Sequence, residues 1–325
     1  MRAMPAAPQL VFFGTPEFAV PTLDALAAAG MPPAVVVTQP SRPAGRGQKT
    51  ADSPVARWAL AQGAPLLRPE RVREPGFLLE LAALAPGGFD FAVVVAFGQI
   101  FPRALLDLPR RGCINLHASL LPRYRGAAPI QAAIAAGEAR TGVTTMQMEA
   151  GLDSGPILLV REVEIGPAET AGELGPRLAA IGGALVVETL ERLSRGEITP
   201  RPQAPELATY APRLTRESGG VDWSLSATDL YNRLRAYTPW PGLTAALRGS
   251  PVKLVWAVPA ASGAGDAAPG TYLGLADGRA LIACGPAGGM GTALAVETLQ
   301  RPGKRPQGAA DFVNGLRLAA GESFA

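Results

Sequence analysis

Four short apolar runs rich in β-branched and aromatic residues punctuate the first third of the chain: Leu10 to Phe13, Ala34 to Thr38, Phe91 to Ala96 and Gly112 to Leu116. Runs that are apolar throughout, rather than alternating, predict strands covered on both faces, and the helix-like stretches between them predict βαβ units in a parallel sheet. The first part of the chain therefore reads as α/β, doubly wound and mostly parallel. Helix starts are legible too. Thr15 with Pro16 and Ser53 with Pro54 each place a capping hydroxyl before a proline at the first helical position, and Pro21 predicts a helix that kinks or begins there.

Further on, Gly142 to Met148 alternates in polarity as a strand and leads into Gly151-Leu152-Asp153-Ser154-Gly155, a glycine-flanked turn. Thr170 to Arg195 is helical in pattern, with expected breaks at Gly175-Pro176 and Gly182-Gly183. Three prolines within Thr199 to Pro205 predict an extended connection, which divides the chain into residues 1–198, a linker at 199–207 and residues 208–325. Beyond it lie one helix-like segment (Ala227 to Tyr237), a Thr238 to Gly242 turn, strand-like runs at Val252 to Val258, Gly270 to Leu275, Ala280 to Ala283 and Ala293 to Leu299, and a closing helix from Ala309 to Leu318. That texture predicts a small β barrel or sandwich.

Composition narrows the classes. A 48% hydrophobic content over 325 residues excludes wholesale disorder. No apolar run reaches the roughly 18 residues of a membrane span, and Met1 to Leu10 leaves little room for a signal peptide, so a cytosolic location is expected. Cys113 and Cys284 lack metal-ligand spacing, so neither a zinc site nor a disulfide framework is expected. A net charge of +3 is a weak argument for nucleic acid, but Arg42, Arg46, Lys49 and Arg57 face only Asp52 within sixteen residues. Ser41 to Gln48 is too rich in Gly and Pro for an element interior and reads as a basic loop, either nucleic-acid-facing or merely solvated.

The chain has one histidine, His117, and it lies two residues beyond Asn115. On a strand these two side chains share a face, delivered to the carboxyl end where open parallel sheets bind ligands. A carboxamide NH2 can stabilise a developing oxyanion and an imidazole can move a proton near neutral pH, a pairing suited to acyl transfer. Asp153 is equally readable as a turn-former or as a carboxylate that orients His117, its glycine flanks letting backbone approach a ligand. After Gly14 comes Thr15-Pro16-Glu17, not a G-x-G-x-x-G turn, so a dinucleotide cofactor is not expected.

Taken in order, Phe13 to Phe18, Thr38 to Gly47, Asn115 to Gln131, Gly151 to Gly155 and Val221-Asp222-Trp223-Ser224 resemble the methionyl-tRNA formyltransferases over essentially the whole chain. The resemblance implies a doubly wound, Rossmann-like formyl-folate domain followed by an OB-like β barrel that binds tRNA. It also implies transfer of a formyl group from 10-formyltetrahydrofolate, without a metal, to the amine of initiator methionyl-tRNA in the cytoplasm, and no obligate protein partner. By position it implies that Asn115, His117 and Asp153 are catalytic, with Asn115 the oxyanion donor, His117 the proton shuttle and Asp153 its orienter. Ser119, Leu120, Leu121 and Pro122 correspond to the folate loop, with Phe97-Gly98 as an adjoining segment. Arg42, Arg46 and Lys49 correspond to the basic loop that meets the tRNA, although Gln48 stands where relatives often carry another lysine.

Three rivals share parts of this pattern. A formyltransferase acting on an amino sugar nucleotide would share the Asn-His segment but has no need of the three basic residues, and a 10-formyltetrahydrofolate hydrolase would pass the formyl group to water. A noncatalytic RNA-binding module leaves Asn115, His117 and Asp153 unexplained, and eleven basic against nine acidic residues from Pro205 onward are a poor nucleic-acid footprint.

Overall fold

The expected apolar runs form the centre of a sheet. In the computed structural model, which describes residues 7–44, 49–261 and 263–325, the strands are β1 (Leu10–Gly14), β2 (Val35–Val37), β3 (Arg42–Ala44), β4 (Lys49–Ala51), β5 (Leu66–Leu67), β6 (Phe91–Val95), β7 (Cys113–His117), β8 (Arg125–Gly126), β9 (Arg140–Gln147) and β10 (Ile157–Glu164). Seven of them make one sheet in the order β10-β9-β7-β6-β1-β2-β5. The pairs β1–β2, β1–β6, β2–β5 and β6–β7 are parallel, whereas β9 runs antiparallel to both β7 and β10. Every residue of β1, β6 and β7 is buried, which is why β1 and β6 read as unbroken apolar runs and β7 as an apolar run interrupted only by Asn115 and His117.

The helices are α1 (Val20–Ala28), α2 (Pro54–Gln62), α3 (Pro75–Ala83), α4 (Arg103–Leu106), α5 (Pro129–Ala135) and α6 (Ala171–Ser194). Ser53 caps α2 as expected, its hydroxyl accepting from Ala56 N at 3.0 Å. Thr15 does not cap. A short 3-10 turn, Glu17–Ala19, comes first, α1 begins beside Pro21, and the Thr15 hydroxyl is taken by the Phe97 carbonyl at 3.3 Å. The expected breaks in α6 are absent as well. Gly182 and Gly183 lie inside a continuous helix because a Cβ there would meet Leu116 at 2.6 Å or the Pro21 carbonyl at 2.7 Å. These glycines serve close packing of helix on sheet, which outweighs their roughly 1 kcal/mol propensity cost.

The chain forms two compact units. The first comprises Met1–Pro129, Arg140–Glu164 and Gly175–Tyr210; the second takes Ile130–Ala139 and Ile165–Leu174 as well as Ala211–Ala325. The linear division read from the prolines does not capture this interleaving, because α5 and the segment before α6 pack with residues far downstream. Residues 199–207 also belong to the first unit, where Arg201 pairs with Ile157 through two backbone hydrogen bonds of 2.8 and 2.9 Å.

After β11 (Tyr210–Ala211), the second unit contains α7 (Ala227–Ala236), β12 (Leu243–Leu247), β13 (Ser250–Pro259), β14 (Tyr272–Ala276), β15 (Arg279–Ala287), β16 (Met290–Gln300), β17 (Gln307–Gly308) and α8 (Ala309–Leu316). Its sheet is antiparallel, in the order β12-β13-β16-β15-β14, with β17 on β16. The last residues tie both outer strands: Ala325 exchanges hydrogen bonds with Ala246 of β12 at 2.6 and 2.7 Å, while Glu322 O and Phe324 N bond Tyr272 N and Gly270 O. Phe324 is fully buried and meets Trp223 edge to face.

Candidate active site

β7 delivers the two side chains singled out by the sequence. Its register against β9 sets Asn115 opposite Met146 and His117 opposite Thr144. Leu116 between them turns toward Gly182 of α6, so Asn115 and His117 share the other face, as the strand period requires. Asn115 is 9% exposed, yet among the described residues its carboxamide has no hydrogen-bond partner within the protein. A nearly buried amide that the fold does not satisfy is available to a ligand group that can accept from it.

His117 is held by main chain. Its Nε2 lies 2.9 Å from the Tyr124 carbonyl, and Nδ1 lies 3.7 Å from Oδ2 of Asp153. A carbonyl oxygen can only accept, so Nε2 carries a hydrogen and Nδ1 is the nitrogen left facing Asp153. At 3.7 Å Asp153 is an electrostatic neighbour of Nδ1 rather than its hydrogen-bond acceptor. The Nε2 side of the ring is held by Tyr124, a residue that the sequence does not single out because the group involved is a backbone oxygen.

Asp153 lies on the loop between β9 and β10 in a left-handed conformation (φ +47°). Its Oδ2 accepts from Gly126 N at 2.8 Å. From the Gln203 side chain, Nε2 donates to the Asp153 carbonyl at 2.8 Å and to the Gly155 carbonyl at 2.7 Å. Oε1 of the same Gln203 accepts from Arg125 Nε at 3.1 Å and Nη2 at 2.7 Å, and Arg125 is itself buried. A left-handed non-glycine residue costs roughly 1 to 3 kcal/mol, least for Asp and Asn. Hydrogen bonds contributing about 1 kcal/mol each offset that cost. The glycine flanks serve the loop rather than a ligand: a Cβ on Gly155 would run into the Gln147 carbonyl, and one on Gly151 into the Ser154 hydroxyl.

The Ser119 to Pro122 segment is stitched to β9. Thr144 Oγ1 donates to Ser119 O at 2.7 Å and accepts from Leu121 N at 3.3 Å, and the Ser119 hydroxyl donates to Arg123 O at 2.6 Å. Leu121 packs with Met146 and Ile157, and Leu120 lies against Gly142. Phe97 likewise turns its ring inward, edge to face with Phe13 and Phe101, while its carbonyl accepts from Gln39 Nε2 at 2.8 Å. The side chains of Leu121 and Phe97 are thus engaged in packing within the protein.

The basic segment is not a loop throughout. β3 and β4 pair antiparallel, Arg42 opposite Ala51 and Ala44 opposite Lys49, and Pro43 is tolerated because a two-stranded ribbon is all edge. Arg46 lies outside the described residues, and Arg42 and Lys49 enter as ribbon backbone. Asp52, the lone acid there, is engaged by the Ser41 hydroxyl at 2.6 Å and Arg68 Nη1 at 2.8 Å, which together hold its carboxyl below the usual carboxylate range. Cys113 and Cys284 are buried, and burial pushes each thiol up to about 12. Among the described residues no cluster of three or more His, Cys, Asp or Glu could hold a metal, and no helix is long and apolar enough to cross a membrane.

A doubly wound sheet carrying an Asn-x-His strand and a nearby aspartate defines a class, and the family models agree on it. Residues 9–190 match the formyl transferase family and residues 213–317 the formyl transferase C-terminal domain. The architecture is shared with the solved structure of WlaRD, a sugar 3N-formyl transferase, at a TM-score of 0.62 and 17% identity over 92% of this chain and 99% of that one. Within the class the chain is far more similar to the methionyl-tRNA formyltransferase of Aromatoleum aromaticum, 47% identical over 99% of this chain and 98% of its relative. The corresponding enzyme of Acidobacterium capsulatum is 49% identical over 96% and 97%. The chain belongs to the methionyl-tRNA formyltransferase family.

Proposed function

We propose that this chain transfers the formyl group of 10-formyltetrahydrofolate to the free amine of initiator methionyl-tRNA, supporting the initiation of translation, with Asn115, His117 and Asp153 as its catalytic residues. The observation that carries the site reading is the unsatisfied Asn115 carboxamide on the same face as an imidazole whose Nε2 is locked by Tyr124 and whose Nδ1 faces Asp153. The folate supplies the formyl carbon on N10, and the donor set fits such a group: an amide hydrogen for the formyl oxygen and a ring nitrogen for the proton.

Asn115 Nδ2 donates to the formyl oxygen, and that bond strengthens as negative charge develops there. As the new carbon–nitrogen bond forms, His117 Nδ1 takes the proton from the attacking amine; it returns the proton to N10 as the old carbon–nitrogen bond breaks. The Tyr124 carbonyl keeps Nε2 protonated throughout, and Asp153 stabilises the imidazolium that exists between the two transfers. No covalent enzyme intermediate is needed.

Main chain of Ser119 to Pro122 and of Phe97-Gly98 contributes to the folate site. The basic segment from Arg42 to Lys49, with Arg42, Arg46 and Lys49, contacts tRNA phosphates. The second unit binds tRNA as an OB-like barrel, a reading supported by the C-terminal residues that bond both outer strands of its sheet. The first unit serves as the catalytic domain and the second as the tRNA-binding domain, and an aminoacyl-tRNA acceptor makes the cytoplasm the place of reaction.

The test is transfer from labelled 10-formyltetrahydrofolate with initiator methionyl-tRNA, elongator methionyl-tRNA, amino sugar nucleotide or water as acceptor. Label passing to initiator methionyl-tRNA at least tenfold faster than to the others is expected; preference for the sugar nucleotide or for water would reverse the assignment.

A further inference from the structure

The stretch from Arg201 to Thr209, which its prolines mark as a connection, bonds the main chain that carries Asp153 and the residue whose carbonyl holds His117. Gln203 Nε2 bonds the Asp153 and Gly155 carbonyls, while its Oε1 holds the buried Arg125 guanidinium. Six residues on, the Thr209 hydroxyl accepts from Tyr124 N at 2.8 Å, and the Thr209 carbonyl accepts from Arg125 N at 2.8 Å. Tyr124 sits at φ +60°, and its carbonyl is the group that binds His117 Nε2. Gly126, next in line, donates to the Asp153 carboxylate.

We propose that residues 201–209 form a positioning strap for the formyl-transfer site, in which Gln203 sets Asp153 and Thr209 sets the Tyr124 carbonyl that orients His117. The inference rests on the catalytic reading above and adds Gln203 and Thr209 to it. Neither residue touches the reacting atoms. Each acts through main-chain groups, and the two are coupled through Arg125, whose side chain Gln203 binds and whose amide Thr209 binds. Both strained residues of the site, Tyr124 and Asp153, are thus fixed by the same short segment. The geometry also explains the residue types. Gln203 must present two hydrogens to two carbonyls and one acceptor to a guanidinium, which a carboxamide can do and a carboxylate or ammonium cannot. Thr209 must offer an acceptor to a main-chain amide, which a hydroxyl can do and a methyl cannot.

The test uses the full-length enzyme with four single variants, Gln203→Glu, Thr209→Val, Thr209→Ser and Asp153→Ala, and the double variant Gln203→Glu/Asp153→Ala. Gln203→Glu keeps a partner for Arg125 and so protects folding while removing both donors. Small displacements of catalytic groups cost up to about 100-fold in rate. The expected result is a kcat about 10- to 100-fold lower for Gln203→Glu and for Thr209→Val, with KM for both substrates within about twofold, and recovery to within about threefold of wild type in Thr209→Ser. In the Asp153→Ala background, Gln203→Glu should cost no more than about threefold, because the residue it positions is gone. An equal loss in both backgrounds, a change confined to KM, or a Thr209→Ser variant as slow as Thr209→Val would overturn the strap. Full activity of Asp153→Ala alone would instead overturn the catalytic reading on which the strap depends, so the two failures are distinguishable.

Discussion

Each unit holds three non-glycine residues in the left-handed region among the described residues, and the two sets differ in kind. In the second unit they are Arg248 and Asp277, each followed by a positive-φ glycine in a tight hairpin, and Arg317 at the C-cap of α8. Two-residue hairpins require positive φ at both central positions, and a left-handed residue is an ordinary way to end a helix. In the first unit they are Ala96, just after β6, and Tyr124 and Asp153, which bracket the histidine. No turn rule asks for the latter two; side chains of neighbouring segments hold them there. The same contrast runs through the buried polar groups. Ser226 in the second unit caps α7 and is satisfied by Asp229 N at 3.2 Å and Asp229 Oδ2 at 2.7 Å, whereas the Asn115 carboxamide in the first has no hydrogen-bond partner among the described residues. Departures from local rules thus mark chemistry in one unit and chain reversal in the other.

The comparison can be broken at either end. The largest expected effect is Phe324→Ala, which removes a fully buried ring from the second unit. Loss of roughly 3 to 5 kcal/mol is expected by chemical denaturation, with turnover per folded molecule unchanged at low temperature. A turnover defect at full folding would show that this end of the chain is more than scaffold. Asn115→Ala should do the reverse, lowering kcat by about 10² to 10³ with the denaturation midpoint within experimental scatter, since the carboxamide bonds nothing among the described residues.

Replacing Arg42, Arg46 and Lys49 by glutamine should weaken tRNA binding in low salt and flatten its dependence on log salt by about one unit of slope for each phosphate that is no longer neutralised. Formyl transfer at saturating tRNA should persist, and an unchanged slope would remove the ribbon from the interface. The smallest effect concerns Glu322, whose carboxyl is held down to about 2, first by the Arg248 guanidinium and then by Ala319 N. A depressed folded-state value means that its stabilisation is complete above the ordinary carboxylate range and is lost as pH falls toward 2. Glu322→Gln should therefore differ in Tm from wild type at pH 7 and converge with it only as pH falls to about 2; a constant difference would exclude the linkage.

Much of the first unit's sheet was legible because β1 and β6 are covered on both faces and so read as uninterrupted apolar runs, and β7 as one broken only by Asn115 and His117. Asn115 and His117 were legible because a strand's period fixes their common face. β12 was not, since Leu243-Thr244-Ala245-Ala246-Leu247 carries little β-branched character and is held as much by its hairpin and Ala325 as by propensity. The glycines of α6 misled because their reason, the approach of Leu116, is tertiary. Tyr124, Gln203 and Thr209 left no trace as site residues: a carbonyl has no sequence signature, and a strap of prolines looks like a linker until its polar side chains are seen to bond the strained turns.

Formyl transfer by His117→Ala in a single turnover, with 10-formyltetrahydrofolate and initiator methionyl-tRNA both saturating and preloaded, addresses the proton-shuttling role directly because binding no longer limits the rate. A fall of about 10² or more with unchanged tRNA affinity is the expected result. A single-turnover rate equal to wild type would mean that the only imidazole in the chain moves no proton in the reaction.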